Sequence, residues 1–457
     1  MNTQKFTRRV WIDAPAEAVF TWHARHGALE RLLPPWEQID LIDKTGGIES
    51  GSQIMLRVPF GPFKVRWTLE HRGYESGRQF QDVQTSGPFR FWEHTHRMVP
   101  QGEQKCYLED QIEYSLGILG NLYGNRALER KLERLFRYRH RILVQDLKDH
   151  RKFRSEGKLK ILVTGASGLV GSSVTSFFRT GGHQVLTLTR SKSEQGDTSV
   201  YWDPIGGSLK MDDLEGLDAV VHLAGENIGA GRWTDEKKDM ILKSRTEGTK
   251  LLCDALACLK KPPKVLVSAS AIGFYGDRGD EILNEGSAPG EGFLANVCQE
   301  WEAATQVVAR NGIRIVNMRF GIVLDPKGGA LEKMLPPFKL GGGGILGDGE
   351  QYMSWISLED VVGAIHHAIR SEELPGPVNF VAPTALTNKE FTRTLGRVLR
   401  RPTLMPMPAR VARMAFGEKA DALLLSSSNV TADKLIDSGY KYRYPDLEDA
   451  LRNMLGR

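Results

Sequence analysis

Apolar and polar residues follow two different rhythms along this chain. In the first third, strand-like runs fall at 6–12, 53–58, 64–72, 79–85, 89–99 and 105–114. Turn-forming residues at 74–77 and 100–102 separate them. Between the first two runs, helical spacing of Val19, Phe20 and Trp22 follows Asp13-Ala-Pro-Ala-Glu. Asp13 is the expected helix cap, with Pro15 in the first turn. Leu128, Leu132, Leu135, Phe136, Ile142, Leu143 and Leu147 then mark one long helix. A strand, a helix, an antiparallel meander and a final helix predict an α+β domain over 1–150 whose sheet curls around that helix.

Residues 151–158 are polar and charged, as suits a linker. From 159 to 457 apolar strands alternate with helices. Strands are expected at 161–163, 185–189, 217–225, 264–270 and 314–319, and a helix at 169–179 closed by Gly181 and Gly182. This order predicts an α/β fold, a Rossmann-type doubly wound parallel sheet, with a smaller substrate and C-terminal region. A helical tail is expected from about residue 405.

Composition narrows the class. A chain of 457 residues exceeds one ordinary core and predicts two or three domains. Its 40% hydrophobic and 26% charged residues suit a soluble globular protein. No apolar run has the length of a membrane span, and the start lacks a secretory core, so a cytoplasmic location is expected. The four cysteines (106, 253, 258, 298) show neither zinc nor redox spacing. The net charge of +5 is concentrated: residues 126–160 hold 13 Lys/Arg against 5 Asp/Glu. A solvated basic helix face accounts for it. No aromatic-basic platform or zinc finger accompanies it, so no nucleic-acid partner is expected.

The chemistry concentrates in the run ending strand 161–163. Gly165, Gly168 and Gly171 permit a sharp turn, close approach of a diphosphate and tight helix packing. Ser167, Leu169 and Val170 complete the turn, whose free amides face an anion. A dinucleotide is therefore the expected cofactor. Arg190 stands where an NAD site usually places an acid, which predicts NADP(H) over NAD(H). Small residues at strand ends, Leu223, Ala224 and Gly225, then Ser268, let a cofactor approach. Glu226, Asn227 and Trp233 follow and are candidates for a substrate pocket. Glu226 is either a general base or a cap for the next segment.

Three further features stand out. His94 and His96 share one strand face with Trp92. The readings are a metal pair, polar anchors in a cavity, or a wet outer face, and the last is preferred. With no third ligand identifiable nearby, no metal site is assigned. The glycine-rich run 340–349 is either a mobile lid or a surface connection. Residues 402–408, with Met405 and Met407, suit a pocket wall or subunit contact.

The strand followed by DAPAEAVF (13–20) resembles the helix-grip domains of the START and polyketide-cyclase (SRPBCC) superfamily. That resemblance implies a cavity for an apolar small ligand. The chain from 159 onward resembles the extended short-chain dehydrogenase/reductases, and within them the epimerase-family proteins. The likeness rests on VTGASGLVG (163–171), HLAGENI (222–228), SRTEGT (244–249), SASAIGFYG (268–276), RFGIVL (319–324) and WISLED (355–360). It implies that Ser270 hydrogen-bonds a reacting carbonyl; the alternative is a strand-end hydroxyl bonded to backbone. Tyr275, five residues on, is a further catalytic candidate if it reaches the cleft, and packing under the turn is the preferred reading.

The chain departs from that family at the Tyr-x-x-x-Lys pair. The corresponding segment, 292–302, offers Phe293 or Leu294 for tyrosine and Val297 or Cys298 for lysine. Ionising an unassisted tyrosine at neutral pH costs roughly 4 kcal/mol. The leading expectation is therefore an NADP(H)-binding oxidoreductase or epimerase-like protein without the usual pair, acting on an apolar carbonyl or alcohol substrate. The alternatives are a non-catalytic NADP(H)-binding sensor, or an apolar-ligand carrier with a nucleotide-binding scaffold. Substrate and oligomeric state stay open.

Overall fold

The computed structural model describes residues 3–60, 63–116 and 125–457. The chain forms two compact units. One is Met1–Gly157 with Ser176–Gly182 and Gly456; the other is Lys158–Thr175, His183–Leu455 and Arg457.

Among the described residues, the first unit is a seven-stranded antiparallel sheet with three α-helices. Its strands are β1 (Gln4–Ile12), β2 (Asp40–Thr45), β3 (Gln53–Phe60), β4 (Phe63–Glu75), β5 (Gln79–Ser86), β6 (Phe91–Pro100) and β7 (Cys106–Ser115). They lie in the order β1-β7-β6-β5-β4-β3-β2. Strand β2 had no sequence signal because it is an edge strand, exposed at nearly every position, so no apolar alternation marks it. Helix α1 (Ala16–Ala24) starts later than expected. Pro15 is its N-cap, and the amides of Ala18 and Val19 bond to the Pro15 carbonyl, so Asp13 does not cap it. Helix α2 (Ala28–Leu32) follows, and the long helix α3 (Asn125–Lys152) closes the unit.

Helix α3 buries Leu132, Phe136, Ile142 and Leu143 as expected, but also His140 and Asp146. Asp146 accepts two bonds of 2.8 Å from the Nε and a terminal nitrogen of the buried Arg31 on α2. His94 and His96 overturn the outer-face reading: they are 2% and 5% exposed and face the interior. Register supplies the partners that the sequence hid. Asp82 on β5 lies opposite His94, and Asp110 on β7 lies opposite His96.

The second unit is built on an eight-stranded sheet. Its members are β8 (Lys160–Thr164), β9 (Gln184–Thr189), β10 (Ser199–Asp203), β11 (Ser208–Leu209), β12 (Ala219–His222), β13 (Val265–Ala271), β14 (Arg314–Phe320) and β15 (Gly376–Phe380). The order is β11-β10-β9-β8-β12-β13-β14-β15, parallel except for the β10–β11 pair. Ile161, Leu162 and Val163 are wholly buried, as a strand covered on both faces requires. Chain order reverses between β8 and β12, which opens a crevice at their carboxyl ends. Helix α4 (Leu169–Thr180) leaves the β8 end, and helix α5 (Asp235–Ala257) lies between β12 and β13 in the chain. Thr234 caps α5 by accepting from the Lys237 amide.

The glycine run 340–349 is tied to the chain at 402–408. Gly347 N bonds to Met407 O, and Met407 N to Ile345 O, at 3.0 and 2.8 Å. The run thus pairs with the 402–408 segment, and Gly343 and Gly349 are buried. The tail is helical at Ala409–Phe416, Asp433–Asp437 and Leu447–Leu455. Among the described residues, no helix is long and apolar enough to cross a membrane.

Candidate functional site

Three glycines shape the turn after β8. Gly165 takes φ +64°, where side chains are strained, and a Cβ on it would lie 2.8 Å from the Leu223 carbonyl. A Cβ on Gly168 would come within 3.2 Å of the Gly165 oxygen. One on Gly171 would overlap that same oxygen and lie 2.8 Å from its carbon. The turn is therefore folded tightly on itself and on the end of β12. Ser167 and Gly168 are exposed, Leu169 and Val170 half-buried, and Gly171 buried. The amides that open α4 thus meet the surface where an anion could reach them.

Thr164 joins this turn to the neighbouring one. Its hydroxyl accepts from the amides of Leu223 and Ala224 at 3.0 and 3.1 Å, and lies 2.8 Å from His222 Nδ1. With two amides donating to it, the hydroxyl proton points to Nδ1, which leaves the histidine proton on Nε2, 2.9 Å from Thr249 Oγ1. Burial lowers the His222 pKa to about 4, so the ring is neutral. Ser268, also buried, pairs in register with His222 on the adjacent strand. Leu223 and Ala224 are half-buried and Gly225 is exposed.

The segment after β12 is met by basic side chains from other parts of the chain. Glu226 is ion-paired with Lys237, and Lys237, then Arg190 and Arg245, hold its pKa below the usual carboxylate value. In this arrangement it is a poor base near neutrality, and it does not cap α5, a role Thr234 fills. Asn227 Oδ1 accepts from the Gly229 amide at 2.8 Å. Trp233 bonds the Ile228 carbonyl and meets Phe293 edge-on at 5.3 Å. Two lysines that sequence patterns did not single out also converge here: Lys333 donates to Gly229 O at 2.9 Å, and Lys419 to Gly229 O at 3.4 Å and to Gly231 O. They come from distant parts of the chain, so no local pattern could reveal them.

Ser270 and Tyr275 belong to one buried network. Ser270 donates to Glu302 Oε1 at 2.7 Å, and Arg319 grips both Glu302 oxygens at 2.8 and 2.9 Å. Arg319 also donates to the Tyr275 hydroxyl at 2.9 Å, which in turn donates to Asn379 Oδ1 at 2.7 Å. Tyr275 is wholly buried, and burial raises its pKa against the opposing pull of Arg319 and Asn379. These bonds hold Tyr275 in the core. Glu302 lies on helix α6 (Phe293–Ala304), whose residues include neither tyrosine nor lysine. Cys298 on that helix is buried, and burial pushes its thiol up to about 11.

One titratable group near the glycine turn escaped notice. Asp325 is buried, which raises its pKa to about 6, and it accepts from the Lys327 amide at 2.7 Å. Gly328 of the same turn lies against the Leu169 side chain.

A glycine turn at the reversal point of a parallel sheet defines a dinucleotide-binding α/β protein. The comparisons with known proteins agree. The NAD dependent epimerase/dehydratase family matches residues 161–381, and domains of unknown function DUF1731 and DUF8410 match 407–454 and 11–147. Epimerase family protein Mb2239 of Mycobacterium bovis is 40% identical over 291 residues, covering 64% of this chain and 96% of that protein. A nucleoside-diphosphate sugar epimerase from Corynebacterium glutamicum has a similar structure, with TM-score 0.79 and 32% identity over 99% of this chain and 90% of that one. Human epimerase family protein SDR39U1, solved with NADPH, has TM-score 0.60 and 33% identity over 65% of this chain and 99% of its own. The chain belongs to the NAD dependent epimerase/dehydratase family through its second unit. These matches support an NAD(P)-dependent oxidoreductase or epimerase-like enzyme.

The expected preference for NADP(H) over NAD(H) is corrected. Human SDR39U1 was solved with NADPH, but two complexes of MoeE5 and a short-chain dehydrogenase/reductase superfamily protein from Agrobacterium tumefaciens hold NAD. Arg190 itself is exposed, and its charge acts on Glu226.

Proposed function

We propose that the second unit holds the diphosphate of a nicotinamide dinucleotide on the turn 165–171. It then oxidises or reduces a carbonyl or alcohol carbon without the Tyr-x-x-x-Lys pair. The carrying observation is the glycine cradle, where any Cβ on Gly165 or Gly171 meets backbone. Leu223, Ala224, Gly225 and Ser268 would flank the dinucleotide, and Glu226, Asn227 and Trp233 the substrate. Lys237, Lys333 and Lys419 around 229–231 suit an anionic group on that substrate, a chemistry in keeping with the Corynebacterium relative's description. For the first unit, the element order supports the helix-grip reading over 1–150, with 151–158 as linker.

A second reading, a non-catalytic dinucleotide sensor, draws on the buried network. The hydroxyls of Ser270 and Tyr275 are both engaged with protein groups. Calorimetric titration with NADH and NADPH, followed by dinucleotide oxidation across a panel of carbonyl compounds, separates the readings. Turnover of any compound supports the enzyme. Tight binding with no turnover across the panel returns the sensor, and absence of binding removes both.

A further inference from the structure

The interior of the first unit holds a concentration of imidazoles and carboxylates that no part of the dinucleotide site uses. Two adjacent rows of the sheet build it. His71, Asp82 and His94 stand side by side on β4, β5 and β6, and His96 and Asp110 stand side by side on β6 and β7. His140 reaches in from α3. The four histidines and Asp110 are all at most 5% exposed, and the Asp82 side chain is 17% exposed.

Each central histidine faces both carboxylates. His94 presents Nδ1 to Asp82 at 3.6 Å and bonds Asp110 through Nε2 at 3.0 Å. His96 presents Nε2 to Asp82 at 3.1 Å and places Nδ1 2.7 Å from Asp110. The ligand atoms of Asp82, His94 and His96 all lie within 4.8 Å of one another.

Direct contacts satisfy this cluster only in part. His71 Nε2 is buried with no hydrogen bond, while His71 Nδ1 with Asp82 Oδ1 at 2.8 Å and His96 Nδ1 with Asp110 at 2.7 Å meet at ion-pair distance without good hydrogen-bond alignment. Such buried groups are costly to leave unmet. A cation among Asp82, His94 and His96 would use the inner nitrogens and the Asp82 carboxylate. Asp110 would then receive the outer N–H of both rings, the usual way a carboxylate orients histidine ligands.

We infer that Asp82, His94 and His96 form a binding site for one divalent first-row transition metal ion, with Asp110 orienting both histidines. Two imidazoles and one carboxylate suit zinc, cobalt or iron, and disfavour calcium or magnesium. His71 stands where a fourth ligand or a hydrogen-bonding partner of Asp82 would be.

The test uses the full chain, treated with chelator and titrated with Zn²⁺ by calorimetry and with Co²⁺ by visible absorption. The expected result is one ion per chain, with Co²⁺ bands of a nitrogen-ligated site. His94→Gln combined with His96→Gln abolishes both signals. Asp110→Asn keeps the bands but weakens affinity about 10- to 100-fold. Near-UV circular dichroism confirms that each variant is folded, and Asp82→Asn serves if the double variant is not. The inference is overturned if the folded wild-type chain takes up neither ion, which would leave a proton-bridged histidine–aspartate network. It is equally overturned if Co²⁺ bands persist in a folded variant lacking the ligands.

Discussion

Gly171 turns its Cα hydrogen directly onto the carbonyl oxygen of Gly165. This contact sets the distance between the first turn of α4 and the end of β8, and so the aim of the amides at the crevice. A methyl group at 171 has nowhere to go, because the neighbouring atoms are backbone. Forcing it in costs about 1–3 kcal/mol of overpacking. Gly171→Ala should therefore weaken dinucleotide affinity about 10- to 100-fold if that cost falls on the bound geometry. Gly168→Ala, whose Cβ has 3.2 Å to the same oxygen, should cost less. Equal affinities for both variants and the wild type, read by calorimetry, would remove the turn from the nucleotide site.

The Ser270–Glu302–Arg319 network yields a test that separates structure from catalysis. Glu302→Gln strips the partner from a buried guanidinium and should destabilise the second unit by about 3–5 kcal/mol. Ser270→Ala removes one bond to a carboxylate, worth about 1.5–3 kcal/mol. Tyr275→Phe loses a hydroxyl that both accepts and donates in the core, at about 1–2 kcal/mol. For Tyr275 the expected outcome is a lower melting temperature with unchanged turnover number. A Tyr275→Phe variant of wild-type stability and abolished turnover would contradict its placement in the core.

Much of this architecture was legible because local pattern and tertiary role coincide. The strand, glycine turn and helix at 160–180 are contiguous, so spacing alone carried them. The inner face of β6 was harder. His94 and His96 alternate correctly with the apolar residues, yet period two does not say which face is wet. Their partners, the half-buried Asp82 and the buried Asp110, come from neighbouring strands and became visible only through register. The lysines at 333 and 419 were hidden for the same reason. In the glycine run at 340–349 the sequence did not show the packing: a Cβ on Gly344 would collide with the Met405 carbonyl, a partner some sixty residues away.

Glu226 and Lys237 make a sharp statement about pH. The ammonium of Lys237, reinforced by Arg190 and Arg245, keeps the carboxylate ionised through the neutral range and below the ordinary glutamate pKa. A general base with that pKa leaves no acidic limb near neutrality. Glu226→Gln should therefore leave the shape of any kcat/KM–pH profile unchanged on its acidic side down to the ordinary carboxylate range. An acidic limb near pH 6 that disappears in Glu226→Gln would reinstate it as the base. Asp325, with a pKa raised to about 6, is the group that such a limb would otherwise report.

His222 provides a stability test whose sign is fixed by its surroundings. The ring is wholly buried between Thr164 and Thr249, and burial lowers its pKa from 6.5 to about 4. As pH falls through 6.5 the unfolded chain takes up a proton there that the folded chain refuses until about 4. Protonation thus favours the unfolded state throughout that window, and the loss is complete below it, on the order of 3 kcal/mol. Asp325 works in the opposite direction, since its raised pKa means that the folded state binds the extra proton as pH falls. The two contributions are separated by comparing the wild type with His222→Asn. The difference in urea-unfolding free energy between them should shrink or reverse as pH is lowered from near 6.5 to about 4, while the Asp325 contribution cancels. A difference that stays constant across this window would mean that His222 titrates alike in the folded and unfolded chains, and the hydroxyl-bracketed neutral ring linking the ends of β8 and β12 would have to be abandoned.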